Sequence, residues 1–335
     1  MGLDKLDQPQ GGLDKLDQRS GGPDRRSGLL DRADGVRNWR PAWPCPVGQV
    51  WAHWRRGAGD PTYLVAGGRF WRGIRTPLGP VTLAVAPADS DRVINAQAWG
   101  AGTDWVLDRL PGMLGADDDP DGFVPHHPQL AQAVKEHPHW RIGRGGVVWQ
   151  ALLPAVIEQK VTGQEAFAGY RRLVHFHGER APGPGASLHL WVPPGPETVR
   201  LIPSWQWLKL HIDPARSRTL IRCAQVADSL ERTIDLPPDE ADRRLRSITG
   251  IGIWTSAEIR FRAHGDADAV SFGDYHVAKE IGHALLGHDI DDDQLAELLE
   301  PYRPHRHRVQ ALLGMRRWRA RHGPRMAPRT HLPAG

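Results

Sequence analysis

The stretch Leu245–Ala278, LRSITGIGIWTSAEIRFRAHGDADAVSFGDYHVA, decides how this 335-residue chain is read. Its pattern predicts a helix, a glycine hairpin at Thr249-Gly250-Ile251-Gly252, a second helix, a loop and the start of a third helix. Glycines permit positive φ and the close approach of another backbone. The first amides of the second helix have no intrahelical partners, and the helix dipole favours an anion in front of them. A nucleic-acid phosphate answers that description and would be held without any reading of bases. Gly250, Gly252, Trp254 and Thr255 would supply amides. The Thr255 hydroxyl would add a donor, and Ile251 would be buried between the helices. Taken alone, Gly-x-Gly between helices is equally well a plain helix–helix turn. What raises the interest is a lone acidic residue, Asp274, about twenty residues further on.

The rest of the chain sets bounds. It is 40% hydrophobic and 24% charged, an ordinary globular balance with room for two or three cores. The 37 Gly and 29 Pro predict many loops or a disordered end. The formal charge is only +4, but from Tyr302 to Gly335 there are nine Arg and no Asp or Glu. Such asymmetry points to a polyanionic partner, with a solvated basic tail as the bland alternative. Cys45 and Cys223 are too few for a disulfide framework or a thiolate-held cluster, and suit a reducing cytoplasm. There is no apolar leader, and no stretch approaches eighteen apolar residues, so a soluble cytoplasmic protein with no membrane partner is expected.

Along the chain, residues 1–42 read as a disordered tail, with a near-repeat at Gly2–Gln8 and Gly12–Gln18. Residues 43–118 read as a β-rich domain. Gln49–Trp54, Pro61–Ala66, Arg69–Ile74 and Val81–Val85 are its strand-like runs, and Ser90–Leu114 is its helix. From about Pro128 the pattern is helical. One long helix, kinked at Pro154 or Gly163, is expected over Val147–His177, then a loop over Gly178–Pro196. Shorter helices are expected at Gln129–Glu136, Trp205–Leu210, Ala215–Leu230, Asp239–Ser247, Tyr275–Leu286, Gln294–Leu299 and Val309–Ala320. These divide into a hairpin subdomain, 148–267, a second helical subdomain, 119–147 with 268–325, and a short tail, 326–335.

Leu245-x-x-Ile248-x-Gly250-Ile251-Gly252-x-Trp254-Thr255-x-Ala257, followed by Gly265-Asp266-x-Asp268-Ala269-Val270 and Gly273-Asp274-Tyr275-His276, resembles the helix-hairpin-helix DNA glycosylases. It is most similar to their 3-methyladenine DNA glycosylase II branch. Ala155–Ala166, AVIEQKVTGQEA, resembles that branch's helix near the lesion. The resemblance is most specific over Val147–Leu286 and extends more weakly over Trp43–Arg329. It implies an α+β, mostly α fold. A small antiparallel sheet domain would precede two helical subdomains with a cleft between them. The partner implied is duplex DNA carrying damaged bases, met by a monomer.

By the same resemblance Asp274 is the catalytic carboxylate. Breaking an N-glycosidic bond passes through an oxocarbenium-like state, which a nearby carboxylate stabilises. At about 4 Å and an effective dielectric near 20 the attraction is of order 4 kcal/mol, roughly a thousandfold in rate. Asp274 would also cap a helix starting at Tyr275, and the two roles are compatible. Trp254 occupies the position of the Schiff-base lysine in family members that cleave the backbone, which implies a hydrolase without lyase activity. Its face would suit a cationic alkylated purine.

Glu258 lies one turn beyond Trp254, where the family's best-known bacterial branch carries an aromatic. It either enters the substrate pocket with Trp254 and Tyr275, or pairs with Arg262 along the helix. Gln159 and Lys160 match the position of the wedge that fills the gap left by a flipped base, though Lys160 is charged where an apolar side chain is usual. With Thr249, Gly250, Gly252 and Thr255 they form the candidate DNA contacts. His276 either tunes Asp274 or is simply exposed. No cofactor and no metal are expected, although the family allows a structural cation at the hairpin carbonyls. The alternatives are a non-catalytic DNA-damage- or structure-binding protein and a glycosylase for bulky or oxidised adducts.

Overall fold

In a computed structural model the described residues are 32–316. The N-terminal repeat and the arginines beyond Arg316 lie outside them. Five antiparallel strands form one sheet in the order β1-β5-β4-β3-β2: β1 (Gly35–Trp39), β2 (Tyr63–Ala66), β3 (Arg69–Thr76), β4 (Gly79–Val85) and β5 (Ile94–Trp99). A two-stranded ribbon, β6 (Glu179–Arg180) and β7 (Trp191–Val192), lies within the expected loop 178–196.

Fifteen helices accompany them among the described residues. The first five are α1 (Val47–Trp51), α2 (Thr103–Met113), α3 (Pro128–Glu136), α4 (Val148–Ile157) and α5 (Gly163–His177). Next come α6 (Pro184–Ser187), α7 (Pro196–Leu201), α8 (Ser204–Lys209), α9 (Pro214–Gln225) and α10 (Ala227–Glu231). The chain closes with α11 (Pro238–Arg246), α12 (Ile253–Ile259), α13 (Val277–Leu286), α14 (Asp292–Leu299) and α15 (Arg306–Met315). The fold is thus α+β and mostly helical, as expected. Among the described residues, those from Ala33 onward form one compact unit.

Four expectations are corrected. Gln49–Trp54 is helical, not a strand: α1 runs into a single 3-10 turn, with Val50, Trp51 and Trp54 buried. Ser90–Leu114 is a strand followed by a helix. In Ile94-Asn95-Ala96-Gln97-Ala98, alternate residues are buried, the period of a sheet. Alanine and glutamine, good helix formers, mask that period in the sequence. β5 pairs with β1, which lies inside the stretch read as a disordered tail. Arg37 Nη1 also donates to the Leu107 carbonyl at 2.7 Å, fastening β1 to α2.

The long helix over 147–177 is two helices. In α4 all ten residues are buried, so it runs through the core. After Ile157 the chain turns. Thr162 and Glu165 then open α5 with a reciprocal capping box.

Two main cores result. The first joins the sheet (Ile74, Leu83, Ile94) to α4 (Leu152, Leu153, Val156) and to the hairpin pair (Leu245, Ile251, Ile259). The sheet and the hairpin subdomain therefore share one core. The second packs Leu130 with Ile281, Leu285, Leu295, Leu299 and Leu312. Trp140 touches both cores. No helix among the described residues is long and apolar enough to cross a membrane.

Candidate active site

The hairpin forms where the sequence places it. Gly250 sits at φ +103°, and a Cβ there would lie 2.2 Å from the Thr219 hydroxyl, so both conformation and space require glycine. Gly252 is different: its backbone is extended and a Cβ would meet nothing within 4 Å. It leaves the start of α12 open to an approaching backbone. Ile251 is buried as expected, whereas Ile253 beside Gly252 is 44% exposed. Thr249, Gly250 and Gly252 face solvent.

Thr255 does not. It is buried, and its hydroxyl accepts a 2.8 Å hydrogen bond from Gln159 Nε2. The same Gln159 nitrogen donates to the Gly250 carbonyl at 2.9 Å. The Thr255 side chain is therefore turned to Gln159 rather than presented as a solvent-facing donor. Gln159 ties the end of α4 to the hairpin. Lys160, next in the turn, is exposed and holds φ +53°, a conformation a β-carbon-bearing residue adopts only when its surroundings impose it.

At the mouth of α12, Trp254 Nε1 donates to Asp274 Oδ2 at 3.1 Å. The other Asp274 oxygen accepts from the backbone amides of His276 (2.7 Å) and Val277 (3.2 Å) at the start of α13. The helix begins at Val277 rather than Tyr275, with His276 at its N-cap, and Asp274 two residues earlier serves both its first amides and the indole. Its loop is anchored in turn, because the Gly273 amide donates to Asp292 Oδ2 at 3.0 Å. Tyr275 is half exposed, with the Lys279 ammonium 4.1 Å from its ring centroid and His276 edge-on at 4.9 Å.

One turn deeper, Glu258 is 8% exposed, and both of its oxygens are engaged. Arg262 Nη1 donates to Oε2 at 2.5 Å, and the Ser271 hydroxyl donates to Oε1 at 2.6 Å. Burial pushes this carboxyl up, but Arg262 and Ser271 outweigh it and hold it below the usual glutamate range. Gln310 of α15 extends the chain: its Nε2 donates to Ser271 Oγ, and its Oε1 accepts from the Ser271 amide. Of the two readings of Glu258, the geometry has the ion pair along the helix.

Beyond Ile259 the helix widens into a π-type turn, Arg260–His264, closed by Gly265 at φ +71°. Its Phe261 stacks on His307 at 4.2 Å, with His53 on another side at 5.6 Å. Burial and the neighbouring arginines push His53 well down, and burial depresses His307 to about 4.

A further carboxylate, Glu158, stands at the C-terminus of α4, 3.2 Å from the buried Arg56 Nε. The sequence reading passed over Glu158, Ser271, Gln310, His307 and Arg56. Only Glu158 left a local signal: an acidic residue at the negative end of a helix dipole is out of place. Both cysteines are buried and unpaired. Among the described residues no cluster of three or more His, Cys, Asp or Glu is placed to hold a metal ion.

This arrangement, a glycine hairpin leading into a helix whose tryptophan meets an aspartate from the next loop, sits in the fold of the helix-hairpin-helix DNA glycosylases. Among solved structures the chain is similar to the 3-methyladenine DNA glycosylase from Archaeoglobus fulgidus, with a TM-score of 0.72 at 17% identity. The match covers 84% of this chain and 99% of that one. It is also similar to MBOgg1 in complex with a low-affinity DNA ligand, with a TM-score of 0.65 at 13% identity, over 84% and 95% of the two chains. The 8-oxoguanine glycosylase/lyase of Clostridium acetobutylicum follows, with a TM-score of 0.64 at 11% identity, over 85% and 98%. No family model and no curated protein matches the sequence.

Proposed function

We propose that the chain is a monofunctional DNA glycosylase of base-excision repair. It hydrolyses the N-glycosidic bond of alkylated purines, of the 3-methyladenine and 7-methylguanine type, in duplex DNA, and acts as a cytoplasmic monomer. The observation that carries this reading is the Trp254–Asp274 hydrogen bond at the open end of the hairpin helix. A carboxylate oriented by an indole and two backbone amides suits stabilisation of a sugar cation, and a non-catalytic DNA binder has no need of it.

The chemistry follows from the parts. The exposed hairpin amides hold a phosphate, and the exposed turn at Lys160 enters the stack as the damaged nucleotide leaves it. The C1′–N bond breaks, its electron pair leaving with the base. Asp274 stabilises the positive charge on the sugar, and water adds to C1′. A methylated purine is itself cationic, so it leaves without a proton donor. Trp254, standing where a Schiff-base amine would be needed, provides none, and this supports hydrolysis without strand cleavage.

The 8-oxoguanine activity named for two of the similar structures gives a second reading, removal of oxidised purines. The test is incubation of the full chain with methylated and with 8-oxoguanine-containing duplex DNA, for wild type and Asp274→Asn. Free methylpurine is expected from wild type alone. Equal release from both proteins would refute the role of Asp274, and release from neither would favour the oxidised-base or binding reading.

A further inference from the structure

Asp274 before α13, Glu258 on α12 and Glu158 at the end of α4 differ in how their oxygens are engaged. Asp274 accepts three hydrogen bonds and Glu258 accepts two. Glu158 accepts none among the described residues. Its one close partner is Arg56 Nε, an ion pair at 3.2 Å that falls short of hydrogen-bond alignment. Arg56 is itself 5% exposed, and its Nε and Nη2 are both buried without a hydrogen-bond partner. Its Nη1 and backbone amide are taken by the His53 carbonyl and Asp60. An underused acid and an underused guanidinium thus meet at the end of α4. Their side chains are 16% and 6% exposed.

Such groups are costly to bury unless something completes them. The helix dipole adds to the cost, since Glu158 occupies the C-terminal end of α4, where an anion is disfavoured. The residue is also next to Gln159 and Lys160, the turn that meets the hairpin.

We propose that Glu158 is a second acid of the site, donating a proton to a ring nitrogen of a flipped, uncharged purine as its glycosidic bond breaks. This rests on the glycosylase reading and widens the substrate class from cationic to neutral purine lesions. The proton account closes. The C1′–N bond breaks and its electron pair goes to the base, while the Glu158 proton goes to a ring nitrogen, so the base leaves neutral. Water then adds to the C1′ cation held by Asp274, and the proton it releases returns to Glu158. The net change is one water consumed, with an abasic site and a free base formed.

The groups that face Glu158 set its titration. Burial pushes its carboxyl up. Arg56, from the loop after α1, and Arg262, from the π-type turn, pull it down, while Glu258 of α12 and Asp274 before α13 push it up again. The net direction is up, so the acid form persists to higher pH than in an ordinary glutamate and is lost as pH rises through the raised value.

The test is single-turnover excision of hypoxanthine (neutral) and 7-methylguanine (cationic) from duplex oligonucleotides by the full chain across acidic to neutral pH. For wild type the hypoxanthine rate is expected to fall as pH rises, more steeply than the 7-methylguanine rate. In Glu158→Gln the ratio of the hypoxanthine rate to the 7-methylguanine rate should drop by about 100-fold, and the hypoxanthine profile should lose that limb. An unchanged ratio, parallel pH profiles in wild type, or wild type that releases 7-methylguanine but no hypoxanthine would overturn the role of Glu158 and leave the glycosylase reading standing. Release of neither base by wild type would overturn both. The wild-type profiles decide even if the variant fails to fold.

Discussion

The two ends of the hairpin helix α12 carry the same kinds of group and use them in opposite ways. At the open end, Gly252 and Ile253 face solvent, and the hydrogen bonds that Asp274 accepts among the described residues come from an indole N–H and backbone amides. At the closed end, Glu258 is locked by Arg262, Ser271 and, through Ser271, Gln310. A carboxylate held by neutral donors keeps its charge available to a developing cation. One held by an arginine inside the core has that charge already matched, and contributes specificity of packing rather than chemistry. The two ends of α12 thus set a carboxylate held by neutral donors, Asp274 of the following loop, apart from one matched by an arginine, Glu258.

The contrast can be broken by experiment. Asp274→Asn should lower the excision rate of 7-methylguanine by about a thousandfold, worth ~4 kcal/mol, with little change in affinity for undamaged duplex. A comparable loss of affinity would mean that Asp274 positions DNA. Glu258→Ala should instead act on the fold, removing about 3 kcal/mol from urea-unfolding stability because Arg262 is left buried without its partner. Full stability with altered lesion preference would move Glu258 to the open end and restore a pocket role.

Acid should also find the closed end first. His307 titrates at about 4 in the fold against the usual 6.5, so the unfolded chain binds more protons between those values. Stability present near neutrality is then lost as pH falls through 6.5 towards 4, by about 2 kcal/mol at pH 5. In His307→Gln the stability lost between pH 7 and pH 5 should be smaller by about that amount; an equal loss would show that other groups carry the acid sensitivity. The smallest effect sharpens the open end: Lys160→Ala should weaken duplex binding and reduce the slope of log affinity against log salt by about one. An unchanged slope would take Lys160 out of the DNA contacts.

Much of this was legible in the sequence, for reasons that are local. The hairpin was readable because Gly250 and Gly252 stand between two helical patterns, and Asp274 was singled out by its distance from that hairpin and by the family resemblance. The sheet was only half readable. β2 to β4 carry β-branched and aromatic residues between turns, whereas β5 is rich in helix formers, and β1 is ordered by pairing with β5 rather than by its own composition. The end of α4 was misread because a helix buried on every side has no periodicity to show where it stops, although the Thr162–Glu165 capping box marked the next start.

By itself, then, the sequence determined the hairpin, the spacing from Trp254 to Asp274, and the absence of a lysine at position 254. These depend on residues near one another in the chain or on backbone conformations that one residue type permits. Only the tertiary structure decided that the Trp254 indole meets Asp274, that Glu258 belongs to Arg262 and Ser271, and that Glu158 pairs with the buried Arg56 while accepting no hydrogen bond among the described residues. Those pairings join α4, α12, α15 and the loop before α13. Which donor reaches which oxygen follows from how the helices pack, and no local pattern encodes it.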